Sequence, residues 1–321
     1  FKGEAVIPAS IIVMTVVAGI SVTVFLYRPP FPLGFYIRRA LTRKLIAIGF
    51  PLLIYNFGFV MITLIGRTIV GIYYPIEAMG IYSFANVIST TAMMAVDSVA
   101  WVVFPSILSR IHEGVDNKTT VSVLNKLHEH YSTLVFGLVL VTILCLPPLF
   151  HFLPAYHAAQ QSLEVLLLSQ AALSISFSYN CLAIARKQQV IISIISLFTV
   201  GFISLLSLIV AHMNFDIKYI ALSVLAGIML YNLLLGTFGH YVLYKRWEID
   251  LNRSFPVIKL IVLALILIGV FSEYHLIASI FAVIAFIAGH LRQLNDLLKY
   301  ITSRWSNRID GVHSDASSEQ I

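Results

Sequence analysis

Long apolar runs almost empty of charge are the feature that most limits what this chain can fold into. They fall at roughly 5–27, 45–73, 79–104, 131–153, 162–185, 189–211, 218–244, 257–272 and 275–291. A helix needs about 20 apolar residues to cross the hydrocarbon of a bilayer. Only 11% of residues are charged, 59% are hydrophobic, and the mean hydropathy is +0.90. Soluble domains carry about 25% charged residues. The pattern predicts an all-α, polytopic membrane protein with about nine transmembrane helices in this chain. Segments of about ten alternating residues, the signature of an outer-membrane barrel, are absent.

The basic residues set an orientation. Apart from Lys2, Arg67 and Lys218, all of the 21 Lys and Arg fall in alternate connections or in the carboxyl-terminal tail. The positive-inside rule places those connections, and the carboxyl terminus, in the cytoplasm. The net charge of +6 thus belongs to topology and not to nucleic acid. Phe1 then lies on the outer side, which requires an odd number of spans upstream and predicts that the chain is part of a longer protein. Three regions are expected. Residues 1–44 hold one helix and a basic cytoplasmic linker, 45–302 hold the transmembrane helices that follow, and 303–321 are a polar, disordered tail. Cys145 and Cys181 lie in opposite halves of the bilayer, so a disulfide is not expected, and both read as small core residues.

The segment 49–109 carries the misplaced charges. Arg67 lies in the first of its two apolar runs and Asp97 in the second. Intramembrane charges are costly and mark function by default. Arg67 comes about 33 Å along its helix, near the outer end. It either snorkels to headgroups or faces a cavity and meets an anionic substrate. Asp97, on a helix that also carries Asn86, Ser89, Thr90 and Ser98, either bonds a neighbouring helix or pairs with a cation or proton. Asn56, Asn180 and Asn232 are intramembrane amides that either join helices or line a path. Arg38, Arg39, Arg43 and Lys44 are explained by topology, and Arg38 and Arg39 are also placed to attract phosphate-bearing headgroups. His240 and His290 read as interfacial.

No phosphate loop, HExxH or G-x-S-x-G occurs. His128 and His130 flank Glu129, but a spacing of two does not bring ligands to one helix face. The chain is not expected to be an enzyme, to hold a metal or to need a cofactor. A coupling ion, H+ or Na+, is left open.

The motifs G-F-P-L-L at 49–53, G-R-T-I-V-G at 66–71 and M-G-I-Y-S-F-A-N at 79–86 resemble the polysaccharide-biosynthesis transporters. These are the O-antigen flippases of the multidrug/oligosaccharidyl-lipid/polysaccharide exporter superfamily. Arg67 takes the arginine place of their seventh span. Gly80, Tyr82, Ser83 and Ala85 match the start of the next one. Gly66 stands where the family often has aspartate. The resemblance implies the carboxyl-terminal lobe of a two-lobe, fourteen-span transporter of the bacterial inner membrane. It implies that the helix of 1–44 is the last of an amino-terminal lobe and that 45–302 are the carboxyl-terminal lobe. It implies translocation of an undecaprenyl-pyrophosphate-linked oligosaccharide to the periplasmic leaflet by alternating access. Candidate cavity residues are Arg67, Asp97, Asn56, Asn86 and Asn232. Expected partners are the lipid-linked oligosaccharide, membrane lipids, and a polysaccharide polymerase with its chain-length regulator; nucleic acid is not among them.

Three other readings compete. An ion-coupled exporter of cationic drugs would use acids such as Asp97. A membrane polymerase or glycosyltransferase would need a larger outer loop than any here. A non-transporting subunit of an assembly complex is the fourth reading.

Overall fold

The computed structural model describes residues 6–27, 39–112, 117–244, 257–272 and 277–291. Every regular element among them is helical. The order is α1 (Val6–Tyr27), α2 (Arg39–Tyr73), α3 (Ile76–His112), α4 (Asn117–Leu144) and α5 (Leu146–Phe152). A 3-10 turn (Pro154–Ala159) leads into α6 (Gln160–Ile175) and α7 (Phe177–Ala185). Then come α8 (Gln189–His212), α9 (Ile217–Tyr244), α10 (Val257–Phe271) and α11 (Ile277–Leu291).

Most helices fall where the apolar runs predicted them, but the run 131–153 is divided between α4 and α5 and the run 162–185 between α6 and α7. Among the described residues, five helices are long and apolar enough to cross a membrane, or six if the bent pair Ile76–Met94 and Val96–Val102 is one span. Val257–Phe271 and Ile277–Leu291 are shorter apolar helices. The nine expected spans are not all seen at that length among the described residues. The chain divides into two compact units, Phe1–Gly49 and Phe50–Ile321, with the division inside α2. The tail 303–321 lies outside the described residues.

Within the second unit, α6 is the centre. From Ser162 to Ser176 every residue but Gln170 is buried. Its apolar character runs all round, as a helix enclosed by others requires. It packs against α3, α4, α9 and α10, while α8 closes on α9. Lipid offers apolar side chains the same company as protein does, so close packing must hold such helices together. Small residues provide it. A Cβ on Gly66 would lie 2.5 Å from the Tyr82 hydroxyl and 2.9 Å from Val224 Cγ2. Glycine at 66 is thus what lets α2 approach α3 and α9, and Tyr82 fills the space an aspartate would take.

Pro51 sits inside α2 and leaves the Ala47 carbonyl without its helical donor. Ser193 of α8 reaches this bend, its Oγ 2.6 Å from the Pro51 carbonyl and 2.7 Å from that of Gln189. Two tight turns reverse the chain. Lys187 (φ 58°) and Asn214 (φ 52°) adopt the left-handed conformation. After α7, Lys187 N–H donates to Ile184 and Gln188 N–H to Ala183; after α8, Asn214 N–H donates to Ala211 and Phe215 N–H to Val210. Both are Schellman closures, which satisfy the last carbonyls of the helix. Neither cysteine is bridged; Cys181 is buried as expected, but Cys145 is exposed, because it ends α4 at the surface.

Candidate functional site

A cavity of about 390 Å³ lies between α2, α3, α4, α6 and α7. One face of each helix makes its wall. On α2 the face is Leu52, Tyr55, Asn56, Phe59 and Thr63; on α3 it is Thr90, Met93, Asp97, Ala100, Trp101 and Phe104. These spacings of three and four are those of a single helix face. Tyr131 enters from α4, and Gln170, Leu173, Ser174, Ser176, Phe177, Asn180 and Ile184 come from α6, α7 and the junction between them.

The junction at Ser176 explains why polar groups collect there. The Ser174 hydroxyl bonds the Ala171 carbonyl (2.6 Å) and that of Ser176 bonds the Leu173 carbonyl (2.7 Å). Such back-bonding serines compete with the helical ladder and loosen it locally. The Asn180 amide donates to Ser176 Oγ (3.3 Å), and its carbonyl accepts from the Tyr231 hydroxyl of α9 (2.9 Å). Opposite, the Tyr131 hydroxyl donates to Asp97 Oδ1 at 3.0 Å. Rings line the same region. Tyr131 and Phe177 are 4.6 Å apart, Phe104 and Phe177 6.3 Å, and Trp101 and Phe104 5.8 Å. The cavity thus pairs neutral amides and hydroxyls with aromatic faces. Asp97 is the one charged residue among those that line it.

Of the residues singled out by sequence, Asn56 and Asp97 line the cavity and both are exposed. Arg67 is partly exposed and does not line it. It stands one turn beyond Thr63 on the same α2 face, about 6 Å further along the axis. Asn86 is likewise one turn beyond Thr90 on the α3 face, and it is buried at 6% exposure. Asn232 lies elsewhere. It is 1% exposed and its amide donates to the Ala172 carbonyl of α6 at 2.8 Å, which is the helix-joining alternative. Arg39 is exposed in the first turn of α2, where with Arg43 it lines a shallow groove of about 430 Å³ within the first unit. Arg38 lies outside the described residues.

Sequence reasoning missed Thr63, Tyr131, Gln170, Ser174 and Ser176. The signal for the first was present: Asn56 and Thr63 are seven apart on one face. Tyr131 had no local signal, because only packing shows which ring meets Asp97. Among the described residues, no group of three or more His, Cys, Asp or Glu is arranged to hold a metal ion.

Residues 6–160, just under half of the chain, match the family model described as polysaccharide biosynthesis protein. Comparison with curated proteins and with solved structures gave no match. Over residues 6–160 this helical membrane chain is thus similar to the polysaccharide biosynthesis proteins.

Proposed function

We propose that the chain is part of a flippase that moves a lipid-linked oligosaccharide from the cytoplasmic to the periplasmic leaflet of the bacterial inner membrane. The observation that carries this reading is the lining of the cavity. Asn56, Thr63, Gln170, Ser174 and Asn180 offer uncharged donors and acceptors, and Tyr55, Phe59, Trp101 and Phe177 offer ring faces. Hydroxyl-rich sugars need the first set, and their C–H faces stack on the second. A volume near 390 Å³ suits a small part of a glycan, with the polyprenyl tail left in lipid. Among the described residues no basic side chain lines the cavity, and in this reading the pyrophosphate stays outside it. Arg67, one turn further along the α2 face, is the cation placed to meet it at the rim. The carboxyl terminus and the basic connections face the cytoplasm in this reading.

Asp97 in the cavity wall favours a second reading, an exporter of cationic drugs. Reconstitution of the full-length protein with a fluorescent undecaprenyl-pyrophosphate oligosaccharide separates the two. Protein-dependent movement of the label between leaflets, with glycan length unchanged, is the expected result. Growth of the glycan would replace the flippase by a polymerase. Transport of a lipophilic cation, with the glycan lipid unmoved, would favour the drug exporter.

A further inference from the structure

The hydroxyls of the cavity wall are already hydrogen-bonded to the protein, and this decides what they can offer a ligand. Thr63 Oγ1 donates to the Val60 carbonyl at 2.8 Å, and Thr90 Oγ1 to that of Asn86 at 2.9 Å. Ser174 and Ser176 donate to the Ala171 and Leu173 carbonyls, and Tyr131 donates to Asp97 Oδ1. The Tyr55 hydroxyl is bonded to that of Tyr231, which in turn donates to the Asn180 carbonyl. The Asn180 amide N–H is on Ser176 Oγ. A hydroxyl carries one proton and two lone pairs. With the proton engaged, a lone pair is what it turns to a ligand. Swinging the proton into the cavity would give up a bond within the protein.

Charge points the same way. Asp97 adds a carboxylate, which only accepts when ionised, and Tyr131 engages one of its oxygens. No Lys, Arg or His is among the described residues that line the wall. Arg67 stands a turn beyond it. The ammonium of Lys259 on α10, 3% exposed, donates to Ser132 Oγ of α4, and neither residue lines the cavity. The donors left to a ligand are the amides of Asn56 and Gln170 and the Trp101 indole N–H. A wall rich in acceptors suits a ligand that brings its own protons. An ionised carboxylate brings none. It would meet lone pairs and Asp97, with no cation in the wall to offset its lost hydration. We propose that the cavity admits a neutral sugar unit, bound through its hydroxyl protons, and rejects a sugar that bears a carboxylate. Asp97 sets the rejection, and the threonine and serine oxygens set the acceptance. That the ligand is a sugar rests on the function proposed above; the preference for donors over acids comes from the wall itself.

The full-length protein in lipid nanodiscs tests this with two small probes, methyl β-D-glucopyranoside and methyl β-D-glucuronide. They differ in a hydroxymethyl group against a carboxylate. Saturation-transfer NMR reads the binding of each at equilibrium, without transport. The glucoside should bind at least about tenfold tighter. Asp97→Asn should bring the two within about threefold of each other, chiefly through tighter binding of the glucuronide. Thr63→Val keeps the side-chain shape and removes an acceptor, and should weaken the glucoside by about threefold to tenfold with helical content retained. The proposal is overturned if the glucuronide binds as tightly as the glucoside, if the gap between them persists undiminished in Asp97→Asn, or if neither sugar binds. Preference for the glucoside in a protein that moves no lipid-linked oligosaccharide would strike the flippase and leave the selection standing. Equal movement of neutral and uronic-acid-bearing lipid-linked oligosaccharides would do the reverse.

Discussion

Asp97 and Tyr131 are hydrogen-bonded to each other in the cavity wall. Their hydrogen bond spans α3 and α4 at 3.0 Å. Asp97→Asn keeps an acceptor for the tyrosine, whereas Asp97→Ala leaves the hydroxyl without one. A hydrogen bond to a charged group contributes about 1.5–3 kcal/mol. In the reconstituted assay, translocation should fall at least about tenfold for Asp97→Ala and less for Asp97→Asn. Equal loss in both would make the charge, and not the bond, the important quantity. Lys187 gives a stability test away from the site. Its φ of 58° is unfavourable for a side chain, at a position where helices usually place glycine. Lys187→Gly should stabilise the protein by about 1 kcal/mol, read as a rise in thermal midpoint.

Helix contacts in this fold depend on where side chains are missing. A Cβ on Gly227 of α9 would run into Ile203 of α8, yet one on Gly201 of α8 would meet nothing within 4 Å. Gly227→Val should therefore cost about 1–3 kcal/mol through forced repacking. Gly201→Ala should be neutral or slightly stabilising. Unfolding in mixed micelles with increasing sodium dodecyl sulfate would measure both, and similar values for the two would refute the packing argument. The same logic explains Gly66. A side chain at 66 would run into Tyr82 and Val224 in this chain.

For the molecule as a whole, the distribution of burial gives a test of topology. Cys145 is exposed at the end of α4 and Cys181 is buried in α7. A membrane-impermeant maleimide should label Cys145 and leave Cys181 unmodified until the protein is denatured. In the proposed orientation, labelling proceeds from the periplasmic side. Labelling from the cytoplasmic side only would invert the topology.

Composition and periodicity by themselves determined the helical class, the placing of the helices and the polar candidates on α2 and α3. Each follows from local physics: backbone amides in lipid must be satisfied within a helix, and polar residues recur at helical spacing on one face. The family resemblance was also legible, in the motifs around Gly66 and Tyr82. Only the tertiary structure decided which candidates meet. It set Asn56 and Asp97 in one wall, sent Asn232 to the α6–α9 contact and buried Lys259 against α4. Partners there are far apart in sequence, as with Asp97 and Tyr131 or Ser132 and Lys259, and close packing alone chooses them. The segment from Gly49 to Ser109 brought both charges into view. Arg67 proved to lie a turn beyond the cavity, and Asp97 proved to be the charge in its wall.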